Sequence, residues 1–204
     1  MATLMKFKDK KITHKMYLPL ATLMILILTA ITTSLQFFYP EIINMLSRNP
    51  NALLAGEWWR LISPIFINPE GWNQIIFNFS ALVFLGVIVE KFYGSFRWLI
   101  FYFAAGFTGE IAGYLWQPES RGSSVAIMGL LGALLVWIIL NRRSVPVQIQ
   151  IWGPAGLIFA VILTFSYNIH CPPILVGALI ALLMLQSKMY PKNKFYFSLK
   201  LANI

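Results

Sequence analysis

The sequence predicts an all-α protein: a polytopic membrane bundle of six transmembrane helices with a long, structured first outer loop. Composition is the first reason, because 58% of the 204 residues are hydrophobic and 11% are charged. Soluble domains carry roughly a quarter charged residues. The second reason is a series of apolar segments near the ~20 residues that a helix needs to cross a bilayer. The third is an uneven distribution of Lys and Arg between alternate connections.

Six apolar segments stand out, and all but the first two are joined by short connections. They cover roughly residues 16–38, 71–90, 96–116, 124–141, 149–167 and 171–187. The first is too long for the ~7–15-residue core of a signal peptide, so we expect a retained helix. The predicted organisation is a basic segment at 1–15, a membrane domain at 16–187 and a basic tail at 188–204.

Charge asymmetry predicts the orientation of the bundle. Of the 16 Lys and Arg residues, 13 lie on the side that holds both termini, and Arg48, Arg60 and Arg121 lie on the other. Positive charge marks the cytoplasmic side of a membrane protein. Both termini are therefore predicted to be cytoplasmic, and the net charge of +9 needs no nucleic-acid partner. The small size favours the inner membrane of a bacterial cell.

The connection over residues 39–70 differs from the others in length and in its aromatic and apolar content. Loops of that length are usually structured or functional. Its pattern predicts short helices lying in the outer interface. The single Cys171 excludes an internal disulfide and any multi-cysteine metal site, and the sequence implies no metal or cofactor.

Polar side chains collect at the predicted outer ends of three helices. Gln74 and Asn78 are four residues apart and share one helix face. Ser124 opens the fourth helix after Gly122, and His170 precedes the sixth. All three helices enter the membrane from outside, so we expect these groups at comparable depth.

These groups are suited to acyl transfer. His170 would accept the hydroxyl proton of Ser124, which would act as the nucleophile. Backbone amides at the helix start, with the side chains of Asn78 and Gln74, would stabilise the oxyanion. The only aspartate, Asp9, lies on the cytoplasmic side, which predicts a Ser-His dyad.

At these positions the chain resembles the rhomboid intramembrane serine proteases over residues 16–187. The matching patterns are Trp59-Arg60 in the first loop, Gly86-x-x-x-Glu90-x-x-x-Gly94, Gly122-x-Ser124 followed by Gly132, and His170 followed by Gly177. The resemblance implies a six-helix fold with Ser124 and His170 as the catalytic dyad. It also implies hydrolysis of peptide bonds in or near transmembrane segments of other membrane proteins, which would be the partners together with the lipid bilayer.

The sequence departs from the family pattern at four positions. Gln74 replaces a histidine of the oxyanion pair, and Val125, Met128 and Pro173 replace a glycine, an aromatic residue and a glycine. An alternative register aligns Asn168 with an asparagine of some members and puts Cys171 at the histidine position. The His170 register supplies a base and aligns Gly177.

Other interpretations of the same residues stay open. Ser124 could serve only as a helix cap, and Gln74 and Asn78 could simply hydrogen-bond between helices. The departures also fit an inactive relative that binds transmembrane helices. Glu110, a carboxylate within the third helix, would suit a small transporter. The sequence does not identify the substrate or the oligomeric state.

Overall fold

The computed structural model describes residues 17–118 and 120–186, and these residues form an all-helical fold. The predicted terminal segments 1–15 and 188–204 lie outside the described residues. The α-helices are α1 (Leu20–Phe38), α2 (Glu41–Leu46), α3 (Pro50–Leu54), α4 (Trp72–Tyr93), α5 (Ser95–Trp116), α6 (Ser124–Leu140), α7 (Val147–Gln150), α8 (Trp152–Thr164) and α9 (Cys171–Gln186).

Three helices in the described part of the chain are long and apolar enough to cross a membrane: α1, α4 and the segment Val147–Thr164 that joins α7 and α8. Two shorter apolar helices, α6 and α9, accompany them. The fifth predicted apolar segment, 149–167, differs from the structure at its end, because α8 ends at Thr164 and not at residue 167. The turn that follows contains Tyr167, whose φ of 58° does not belong to a right-handed helix.

Helix α6 lies at the centre of the bundle. It contacts α4, α5, α8 and α9, and ten of its 17 residues are buried. A helix that is apolar on every face is suited to such a position. Helix α8 is peripheral in comparison, since only Gly153 and Ala160 are buried along its 13 residues.

Glycines bring α6 and α9 into backbone contact. A Cβ atom on Gly177 would lie 2.1 Å from the carbonyl oxygen of Gly129, and one on Gly132 would lie 2.0 Å from that of Ile174. Neither distance is compatible with a side chain, and small residues allow this approach between membrane helices. The close approach brings the start of α6 beside the start of α9.

The connection over residues 39–70, the outer connection, contains α2, α3 and two short 3₁₀ segments, Trp58–Leu61 and Ser63–Phe66. The Arg60 guanidinium donates to the carbonyl oxygens of Asn44 and Ser47 at 2.6 and 2.7 Å and pairs with Glu57. The Trp59 indole donates to the carbonyl of Met45 at 3.2 Å. These bonds hold the two halves of the connection together.

At the opposite end of the bundle, Glu90 joins three helices. Its carboxylate accepts from the backbone N–H groups of Ala21 and Thr22, both at 2.8 Å. It also accepts from the hydroxyls of Thr22 and Ser95, both at 2.7 Å. A carboxylate at a helix N-terminus satisfies free amides and interacts favourably with the helix dipole. Glu90 on α4 therefore fixes the starts of α1 and α5.

Candidate active site

Ser124 and His170 face each other across the contact between α6 and α9. The Ser124 hydroxyl oxygen lies 2.9 Å from Nε2 of His170, and both residues are half-buried. Ser123 occupies the N-cap position, so Ser124 is the first residue of the helix rather than its cap. This distance is within hydrogen-bond reach for a nucleophile and its base.

The environment of His170 favours the neutral imidazole. His170 lies in the loop before α9, where burial lowers the pKa of the ring below its usual 6.5. The charge on Arg48 lowers this pKa further, and Glu70 raises it. A neutral imidazole can accept a proton from a hydroxyl at neutral pH.

Gln74 and Asn78 present their amide groups beside the start of α6. Gln74 Nε2 donates to the Arg121 carbonyl at 2.6 Å, and Asn78 Nδ2 donates to Asn68 Oδ1 at 2.7 Å. A primary amide has two N–H donors, so each nitrogen has a second hydrogen beyond these bonds. Both nitrogens approach Gly122, where a Cβ atom would lie 2.5 Å from Gln74 Nε2 and 3.6 Å from Asn78 Nδ2.

Asn68 connects this group to α1, and the sequence interpretation missed it. It is fully buried, and its Oδ1 accepts from Asn78 and from the Ser123 hydroxyl at 3.0 Å. Its Nδ2 donates to the Thr33 hydroxyl at 3.2 Å, and its backbone carbonyl accepts from Gln36 at 2.7 Å. The only sequence signal is a polar residue that ends an apolar run in the outer connection.

Glu110 has a partner that the sequence did not indicate. Its carboxylate lies 3.1 Å from Nη1 of Arg48 in the outer connection, and both side chains are almost fully buried. The guanidinium packs where a side chain on Gly113 would stand, since a Cβ there would lie 1.8 Å from Arg48 Nη1. The pair therefore attaches the outer connection to α5.

Two of the departures from the family pattern meet at one glycine. A Cβ atom on Gly109 would lie 2.5 Å from the Cβ of Val125 and 2.9 Å from Cγ of Pro173. The bare backbone of α5 at Gly109 therefore makes room for both larger side chains. Met128, the third departure, lines the cavity described next.

A cavity of about 930 Å³ lies between α4, α6 and α8. Its lining is mostly apolar and includes Phe84 on α4, Leu135 on α6 and Phe159 on α8. It reaches Asn168 and His170 at one end. Within the described residues, no group of three or more His, Cys, Asp or Glu side chains is arranged to hold a metal ion.

The motif residues Gly86 and Gly94 contribute to the packing and the end of α4. Gly86 packs against Thr22 and accepts from the Trp98 indole through its carbonyl at 3.0 Å. Gly94 ends α4 with a φ of 81°.

Comparison with known proteins gives consistent matches. The Rhomboid domain family matches residues 55–187. The rhomboid protease GluP of Bacillus subtilis (strain 168) is 48% identical over 95 residues, 46% of this chain and 18% of GluP. YdcA of the same organism is 30% identical over 141 residues, 65% of this chain and 70% of YdcA. The rhomboid protease AarA of Providencia stuartii is 28% identical over 103 residues, 42% of this chain and 36% of AarA.

The family match covers α4 to α9 and includes Gln74, Asn78 and Ser124 on the helices and His170 in the loop before α9. The apolar helices and this match identify an integral membrane protein. The chain belongs to the rhomboid family.

Proposed function

We propose that this protein is an intramembrane serine endopeptidase that hydrolyses peptide bonds in or near transmembrane segments of other membrane proteins. The observation that carries the proposal is the 2.9 Å contact between the Ser124 hydroxyl and His170 Nε2. Two relatives named as rhomboid proteases support it.

In the proposed reaction, the Ser124 oxygen attacks the substrate carbonyl while its proton moves to His170 Nε2. The oxyanion accepts hydrogen bonds from the Ser124 backbone N–H and from the second N–H groups of Asn78 and Gln74. The C–N bond then breaks, and His170 protonates the leaving amine. Water, activated by His170, hydrolyses the acyl-enzyme and regenerates Ser124.

We propose six membrane crossings, made by α1, α4, α5, α6, the α7–α8 segment and α9, with both termini cytoplasmic. The site then lies at the outer ends of α4, α6 and α9. The apolar cavity between α4, α6 and α8 would receive the substrate segment, since His170 lies in its lining. The substrate must unwind locally, because carbonyls in a helix are already hydrogen-bonded.

Cleavage of a single-span model substrate in detergent tests the proposal. We expect cleavage by the wild type and its loss in Ser124→Ala and His170→Ala. Ser80→Ala, which changes an exposed serine on α4, is the matched control and should cleave normally. A fluorophosphonate probe should label the wild type and Ser123→Ala but not Ser124→Ala.

A wild type that cleaves no substrate and takes up no probe would favour an inactive relative that binds transmembrane helices. Labelling that survives Ser124→Ala would refute Ser124 as the nucleophile. Activity that survives His170→Ala would refute His170 as the base. The transporter alternative has less support, because the Glu110 carboxylate that motivated it is paired with Arg48.

The role of Asn78 can be tested separately. Asn78→Ala should lower turnover roughly 10–10³-fold, the range for loss of an oxyanion donor. Thr33→Val is the control, because it removes another bond to Asn68 without changing a donor at the reacting oxygen. Unchanged turnover in Asn78→Ala, or an equal loss in both variants, would exclude an oxyanion role for Asn78.

A further inference from the structure

Asn168 lies on the other side of the His170 ring from Ser124. Its Oδ1 is 3.2 Å from Nδ1 of His170, while Nε2 of the same ring faces the serine hydroxyl. Asn168 also lines the end of the apolar cavity. The imidazole is therefore held between two polar groups, one on each nitrogen.

The backbone N–H of His170 indicates which ring nitrogen of His170 carries the proton. The N–H of His170 lies 3.0 Å from the same Asn168 oxygen, and a backbone N–H can only donate. The Asn168 atom that faces the histidine is therefore the acceptor oxygen and not the amide nitrogen. Since an acceptor faces Nδ1, the ring must carry its proton there, and Nε2 is left with a free lone pair towards Ser124.

The loop fixes Asn168 at this position. Its backbone N–H donates to the carbonyl of Leu163 at 3.3 Å, and its own carbonyl accepts from the N–H of Cys171 at 3.2 Å. Tyr167, just before it, takes a φ of 58° to turn the chain. The end of α8 and the start of α9 thus both position the asparagine.

We propose that Asn168 is a positioning residue that holds His170 in the Nδ1–H tautomer and so orients the free lone pair of Nε2 towards Ser124. An uncharged oxygen suffices for orientation, as in the Cys-His-Asn arrangement of papain-like proteases. The inference rests on the proposed function for its effect on catalysis. The tautomer itself is a property of the protein without substrate.

Histidine ¹⁵N NMR tests the tautomer directly. The chain has two histidines, so a His14→Gln background leaves His170 as the only reporter. At pH 8 we expect a protonated Nδ1 and an unprotonated Nε2. Asn168→Leu should raise the population of the Nε2–H tautomer, while the matched control Asn141→Leu, at the far end of α6, should not.

Asn168→Asp separates positioning from folding, because it keeps an oxygen in the same place and adds a charge. It should retain the Nδ1–H tautomer and raise the pKa of His170 by about one unit. The other polar or charged groups near the ring, namely Ser124, Cys171, Arg48 and Glu70, are unchanged in this comparison. If Asn168→Leu fails to fold, the Asp variant still decides the matter.

Substrate cleavage adds a second readout. Asn168→Leu should lower kcat about 100-fold with little change in KM, less than the roughly 10⁴-fold lost when a triad histidine is left in the wrong tautomer. Asn168→Asp should stay active and shift the acidic limb of its pH profile upwards. A tautomer unaltered in Asn168→Leu, or a His170 titration unaltered in Asn168→Asp, overturns the proposal. An inactive wild type with the expected NMR spectra would refute the proposed function and leave this inference standing.

Discussion

At the scale of single residues, Gly122 determines how closely the amide groups approach the start of α6. It combines a φ of 138° with the absence of a Cβ atom, whose position lies 2.5 Å from Gln74 Nε2. Both properties favour glycine, the first through backbone strain and the second through space. Gln74 and Asn78 can therefore lie this close to the start of α6 only while residue 122 has no side chain.

Gly122→Ala is expected to lower turnover at least about 10-fold, because the added methyl group displaces a proposed oxyanion donor. It should also lower the free energy of unfolding by about 1–2 kcal/mol through backbone strain. Gly56→Ala is the control, since Gly56 has a φ of 102° but no atom of the described residues within 4 Å of the Cβ position. Equal loss of turnover in both variants would show that strain alone is responsible.

The pKa of His170 predicts the acidic limb of the activity profile. Because burial lowers this pKa below 6.5, the base stays neutral at neutral pH and activity should fall only as the pH drops through a value under 6.5. Glu70→Gln should move the limb to still lower pH, since Glu70 raises this pKa. Measurement of kcat/KM between about pH 4 and pH 8, the range in which histidines titrate, checks the position of the limb and its shift in Glu70→Gln. A limb above 6.5 would contradict the expectation.

Residues at helix ends are easier to relate from sequence than residues in an irregular connection. Ser124 and His170 stand where two helices are predicted to enter from the same side, and the Ser124 hydroxyl lies 2.9 Å from His170 Nε2. Their catalytic roles stay a prediction. Asn68 and Arg48 were missed because their contacts with Ser123 and Glu110 span 55 and 62 residues from an irregular connection. No helical periodicity relates such residues.

At the scale of elements, the contact between α6 and α9 sets the geometry of the proposed Ser124–His170 dyad. Ser124 begins α6 and His170 immediately precedes α9, so the separation of the two helix backbones controls the distance between the two side chains. The sequence predicted the helices, but it did not predict that Gly129 would lie opposite Gly177. That pairing depends on how α6 and α9 are rotated about their own axes. A helix that is apolar on every face has no hydrophobic periodicity from which this rotation could be predicted.

Gly177→Ala should separate α6 from α9, because the new Cβ would stand 2.1 Å from the Gly129 carbonyl oxygen. We expect a loss of about 1–3 kcal/mol in the free energy of unfolding, as for other overpacked sites, together with lower turnover. Gly156→Ala on α8 is the control for stability, since its nearest neighbours are the movable methyl groups of Leu135. Thermal unfolding in detergent measures stability, and the cleavage rate of Gly177→Ala is compared with that of the wild type. A Gly177→Ala variant as stable as Gly156→Ala and as active as the wild type would contradict this account.

At the scale of the whole molecule, the outer connection is fixed to the bundle through a buried charge pair. Arg48 reaches Glu110 on α5. Within the part of the chain that the structure describes, three polar atoms of the pair are buried without a hydrogen-bond partner: Arg48 Nε, Arg48 Nη2 and Glu110 Oε1. Removing one charge from such a pair leaves the other buried and uncompensated.

Glu110→Gln should therefore reduce the free energy of unfolding by about 3–5 kcal/mol. The double variant Arg48→Met/Glu110→Met should regain much of that loss, because it leaves no buried charge. The control is Glu57→Gln, which changes the partly exposed pair with Arg60 and should cost only about 0–1 kcal/mol. A double variant less stable than Glu110→Gln would show that the pair contributes net stability.

The bonds around Asn68 have a consequence for the smallest unit that can keep the site intact. The family match begins at residue 55, yet the buried Asn68 side chain and backbone depend on Thr33 and Gln36 of α1. A fragment beginning at residue 55 would leave those polar groups unsatisfied in an apolar surrounding. The same asparagine would then be free to turn away from Asn78 and Ser123. Helix α1 is thus needed to hold Asn68 in contact with Asn78 and Ser123, although α1 lies outside the family match.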